Sequence, residues 1–209
     1  MDALLCRRAM IAAGGGSPTP PTPGRLPSGY TEVEYIQNTT TAYIDTGIVP
    51  TCTWKIKAVA NEQPSSVGIV LGTKTSSGHW VGATTNGYWG TGNTNYIAGY
   101  GNTNESELTV VVNGNSVVFS VGTASTKNAS ASSTINTSVW LFAASPTSTN
   151  TFPFLGKMIG DVVATRSGVE IFHGVCCISP NNEVGLYDLI SSSFFGSSSE
   201  GTFTAGPTV

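Results

Sequence analysis

Charged side chains are scarce in this sequence. Asp, Glu, Lys and Arg supply 10% of its 209 residues, well under the usual quarter. The net charge is −3, so the basic footprint that holds nucleic acid is missing. No apolar run approaches the ~18 residues of a membrane span, and no polybasic patch suits a membrane surface. Only two histidines are present, His79 and His173, and both read as lacking an acidic neighbour. Neither an H-E-x-x-H metal motif nor a Gly-x-Ser-x-Gly nucleophile elbow occurs. Retaining glycosidases need two carboxylates ~5–5.5 Å apart, and an E-x-D-x-x-E strand that would supply them is absent. Glu32 with Glu34, and Glu105 with Glu107, share strand faces without a third acid and read as solvated charges. The sequence therefore predicts no catalytic residues. No cofactor is expected either, because Asp2, Asp45, Asp161 and Asp188 never meet in one loop. Calcium on the Asn-rich stretch 93–104 is the alternative. Asp45 is expected to hydrogen-bond a turn backbone instead.

Cysteine is sparse as well: Cys6, Cys52, Cys176 and Cys177, with no C-x-x-C spacing. Adjacent Cys176 and Cys177 would point to opposite faces of a strand, a poor geometry for a disulfide or a zinc site. Free, buried thiols follow, and with them a reducing compartment of synthesis.

Ser, Thr, Asn and Gly fill the space that charge leaves, which suits a β-rich protein with hydroxyl and amide outer faces. Residues 1–13 form a short apolar stretch interrupted by Arg7 and Arg8, and Asp2 stands where an export signal wants positive charge. Such a segment can make an amphipathic helix only against a partner surface, with Leu4, Leu5, Met10 and Ile11 as its anchors. Residues 14–29, GGGSPTPPTPGRLPSG, are a Gly/Pro linker with extended polyproline character. From residue 30 the pattern is short strands. Trp54, Ile56 and Ala58 alternate with Lys55 and Lys57. Residues 108–121 form a hairpin, with Asn113-Gly114 as a type I′ turn. Residues 67–71, 138–144, 155–164 and 169–178 supply further strands. Residues 183–207 read as two strands about a Ser-rich turn. At least ten strands and no helix after residue 13 predict an all-β, antiparallel two-sheet sandwich.

The stretches LPSGYTEVEYIQ…AYIDTGI (26–48) and EVGLYDLISSSFFGSSSEGTFTAGP (183–207) resemble the concanavalin A-like lectin/glucanase, or laminin-G-like, jelly rolls. More narrowly, they are similar to the version common in phage structural proteins and surface proteins of gut bacteria. That resemblance implies two sheets of six or seven strands with first and last strands adjacent, over residues 30–209. It does not imply catalysis. Cys176-Cys177 departs from the pattern, in which that strand carries a small residue or a single Cys. The expectation is a virion structural protein: a head fibre, a capsid decoration or a tail-associated display protein. Residues 1–13 would dock on a capsid or tail scaffold, and a symmetric homo-oligomer such as a trimer is expected. The alternative is a carbohydrate-binding or adhesin module at a bacterial cell surface. In either case Trp80, Trp89, Tyr96 and Tyr100, set among Gly, Asn and Thr, are the candidate glycan platform.

Overall fold

Residues 52–60, CTWKIKAVA, show how alternation becomes structure. Trp54, Ile56 and Ala58 are fully buried while Lys55 and Lys57 face solvent, because successive strand side chains point to opposite faces. That period recurs throughout the computed structural model, which describes residues 24–73, 80–91, 95–124, 126–130, 136–144 and 152–209. Among these residues there are eighteen short strands, numbered here in chain order, and no helix.

The larger sheet runs β11 (Lys127–Ser130), β10 (Ser116–Val121), β9 (Ser106–Asn113), β4 (Cys52–Ala60), β14 (Asp161–Arg166), β15 (Val169–Ile178), β16 (Val184–Asp188) and β17 (Ser193–Phe195). Four strands branch from this path: β1 (Thr31–Glu32), β2 (Tyr35–Asn38), β13 (Gly156–Ile159) and β18 (Phe203–Ala205). The smaller sheet runs β3 (Ile44–Asp45), β12 (Val139–Leu141), β5 (Gly68–Thr73), β6 (Trp80–Ala83), β7 (Tyr88–Thr91) and β8 (Asn95–Gly101). The two antiparallel sheets do not close into a barrel, and the fold is an all-β sandwich. Their inner faces share one core. Trp54, Ile56, Leu108, Phe119 and Phe172 come from the large sheet, and Ile44, Leu71, Val81, Trp89 and Leu141 from the small one.

The expected six or seven strands per sheet become twelve and six. Bends divide the strands of the larger sheet. Gly160, at φ +65°, separates β13 from β14, although both run beside β4. Into the fork so opened come β1, paired with β15, and β2, paired with β13. The buried Asn38 amide donates to Ala42 O at 2.8 Å and Phe154 O at 3.1 Å, tying the end of β2 to its surroundings.

The hairpin at 108–121 is present, with a different turn. Asn113 pairs with Ser116 as the last residue of β9, and Gly114, at φ +56°, opens the two-residue loop. A glycine at that first position is the signature of a type II′ turn. Residues 183–207 hold three strands rather than two. The Asp188 carboxylate accepts from the Ile190 and Ser191 amides at 3.2 and 3.0 Å, so a tight turn follows β16 at once. β18 then returns to β2, and Val33 pairs with Thr208, which places the closing segment beside the opening one.

Contacts to the body reach back before residue 30. The Arg25 guanidinium pairs with Glu32 and Asp161, Gly29 lies against Pro180, and the Tyr30 ring packs at 4.8 Å on Tyr187. Leu4, Leu5, Met10 and Ile11 lie outside the described residues, as does the linker through residue 23.

Candidate functional site

The four expected platform aromatics do not share a surface. In β7 the two-residue period sends Tyr88 and Gly90 outward and Trp89 inward, where Trp89 is 0% exposed among Val81, Ala83 and Ile97. Its ring packs against Phe154 at 5.9 Å, and its indole N–H has no hydrogen-bond partner among the described residues. Trp89 thus belongs to the core, because adjacent strand residues cannot face one way. Tyr100 is half-buried against the same core.

What remains outside is a smaller platform. Gly90 pairs with Tyr96 across β7 and β8, and the diagonal neighbour Tyr88 stacks on Tyr96 with ring centroids 5.8 Å apart and planes at 11°. Gly90 makes room for this, since a Cβ there would sit 3.3 Å from that of Tyr96. Tyr96 is 38% exposed. Trp80, half-buried and opposite Gly72, shares this outer face from β6. Tyr88 is the member that sequence reasoning missed, although alternation within Tyr88-Trp89 would have exchanged one for the other.

A second cluster lies on the outer face of the large sheet, where β1, β14 and β15 meet. Arg25 Nη1 donates to Asp161 Oδ2 at 2.6 Å, and Arg25 Nε to Glu32 Oε2 at 3.0 Å. The remaining basic side chain in the cluster is His173, whose Nε2 lies 3.0 Å from Asp161 Oδ2 and whose Nδ1 lies 3.1 Å from Glu170 Oε2. The expectation that His173 has no acidic neighbour is therefore corrected, and Glu32 is paired rather than solvated. Glu105 is exposed as expected, and it also pairs with Lys57 at the surface. Burial alone would raise Asp161, but the Arg25 and His173 contacts win and hold it below the usual carboxylate range.

Within this cluster Asp161 Oδ1 is buried and has no hydrogen-bond partner among the described residues, while the other polar groups answer one another. Both ring nitrogens of His173 are taken by carboxylates, and Arg25 occupies the remaining approach to Asp161 Oδ2. The closest thiol in sequence, Cys176, is fully buried; burial pushes it up to about 12, which denies it thiolate character. Cys177 is also free, buried and pushed up to about 12, and Cys52 is free and buried. Among the described residues no three His, Cys, Asp or Glu side chains are placed to hold a metal ion. Asp45 accepts from the Gly47 amide at 3.0 Å, a turn contact of the kind its position suggested. Compared with known proteins, the chain matches no family model and no curated protein.

Proposed function

We propose that this chain is a non-enzymatic structural protein of a bacteriophage particle, a head fibre, capsid decoration or tail-associated display protein. Its body would be a concanavalin A-like jelly roll, held to a capsid or tail scaffold by residues 1–13 and presented at the virion surface for adhesion. One observation carries the reading. The β body is a single unit whose opening and closing segments pair, with contacts reaching back to Arg25, and the sequence before it is a Pro/Gly stretch and an apolar leader. A tether in front of a self-sufficient domain is an anchoring arrangement. Weak surface contacts repeated over a particle or a symmetric trimer gain strength through multivalency.

The stacked Tyr88–Tyr96 pair favours a second reading, a glycan-binding adhesin module of a bacterial surface. One set of preparations separates the two. Full-length chain and a variant lacking residues 2–13 are expressed during infection of the host, and particles are purified and probed for each. Incorporation of the full chain and its loss in the deletion are expected. Equal incorporation of both, or of neither, removes the particle reading. Glycan-array binding lost in Tyr96→Ala would then support the adhesin module.

A further inference from the structure

A cleft of about 520 Å³ opens between the start of β16 and the segment that follows β17. It exists because the chain is drawn away from β16 after Phe195. The Ser198 amide donates to Tyr43 O at 2.7 Å, and Ser199 Oγ donates to Thr41 O at 2.9 Å. Residues 197–202 thereby lean towards residues 41–43 and leave a gap over half-buried Val184 and buried Phe203. The loop is braced internally, with Gly201 N–H donating to Ser199 Oγ at 3.3 Å and the Ser197 and Ser199 hydroxyls 3.2 Å apart. Its shape does not wait for a ligand.

Three features of the lining stand together. The Phe194 ring is half-buried, seated over Gly185 and beside Gly196; a Cβ at these glycines would come within 2.9 and 3.2 Å of it. Exposed Asn182 and Thr202 add an amide and a hydroxyl. Glu183 and Glu200 are exposed, neither carboxylate has a hydrogen-bond or ion-pair partner among the described residues, and no Lys or Arg is among the residues that line the cleft.

We propose that this cleft binds a protonated amino sugar. The Phe194 face takes the sugar C–H surface, Asn182 and Thr202 take hydroxyls, and the two glutamates take the ammonium through charge-assisted hydrogen bonds. Its volume lies in the range of small-ligand pockets, about 300–1,000 Å³. Two unbalanced carboxylates disfavour uronic or sialic acids and phosphate, and leave a neutral sugar without the strongest contact on offer. The assignment gives the adhesion part of the proposed function a ligand class, and rests on that reading only for its biological use.

The test is isothermal titration of the full-length chain with a β-1,4-linked glucosamine tetramer at about pH 6, where its amines are charged. The N-acetylated tetramer and tetralysine are run beside it. The glucosamine tetramer is expected to bind, with the acetylated form at least about tenfold weaker. The E183Q/E200Q double variant is expected to lose about tenfold in affinity with an unchanged thermal midpoint, because both residues are exposed. Val169→Ala, exposed on β15 and outside the cleft, should bind as the parent does. Equal binding of the two tetramers, tetralysine binding as tightly, an unaffected double variant, loss in Val169→Ala, or no binding would each overturn the assignment. Particle incorporation is measured separately on the deletion of residues 2–13, so failure of either idea leaves the other standing.

Discussion

His173 is the residue whose surroundings most exceed what its sequence position promised. Burial alone would lower its pKa, but the hydrogen bonds its ring N–H groups donate to Asp161 and Glu170 more than reverse this and leave it raised. A raised histidine adds its full stability below the unfolded value of about 6.5 and loses it as pH climbs through the folded value. Asp161 is lowered, so its contribution is present above about 3.9 and is lost as pH falls through its folded value. The facing groups are Asp161 with Arg25 and Glu32 behind it, Glu170 on the same strand, and Asp188, which accepts from the His173 amide at 2.7 Å. His173→Gln should therefore lower the urea midpoint relative to the parent at about pH 5 and match it at about pH 9. A deficit of the same size at both would show that packing, not charge, is what the ring supplies. Glu170 stood three residues away and was legible in the sequence. Asp161 was not, because only the β14–β15 register, with Val163 opposite His173, brings it there.

Among the elements, β4 and β7 show what periodicity can and cannot deliver. β4 alternates cleanly, so its inward set was readable in advance, and Trp54 packs on Phe172 at 5.6 Å while donating its indole N–H to Cys52 Sγ at 3.1 Å. Trp54→Ala should cost about 3–5 kcal/mol in denaturant unfolding, as deletion of a buried aromatic does. Tyr96→Ala, on the outer face of β8, should cost under about 1 kcal/mol. A similar cost for both would contradict the assignment of inner and outer faces. β15 spans residues 169–178, as its apolar run implied. The division of residues 31–38 into β1 and β2 carried no comparable signal. It follows from two different neighbours, β15 and β13, and a chain cannot announce partners that lie more than a hundred residues away. The aromatic platform failed for a simpler reason, since nearness in sequence was given more weight than the two-residue period.

For the whole molecule, closure is the property that orders the rest. The adjacency of first and last segments came from the resemblance of 26–48 and 183–207, and β18 pairing with β2 is that adjacency in hydrogen bonds. Phe203 contributes to the shared core and packs on Phe142 at 4.8 Å. Removing residues 203–209 strips β2 of this neighbour and opens the core at one end. The truncated chain should lose its cooperative thermal transition, followed by circular dichroism or calorimetry. A sharp transition within a few degrees of the parent's would mean that the last strand is an accessory. The closing contact runs to the last residue, where the Val209 amide donates to Glu32 O at 3.2 Å, a short way past the Arg25 clasp. Both ends of the body thus leave from one spot, and the domain could be spliced into a surface loop of a carrier protein with little stretch of either flank.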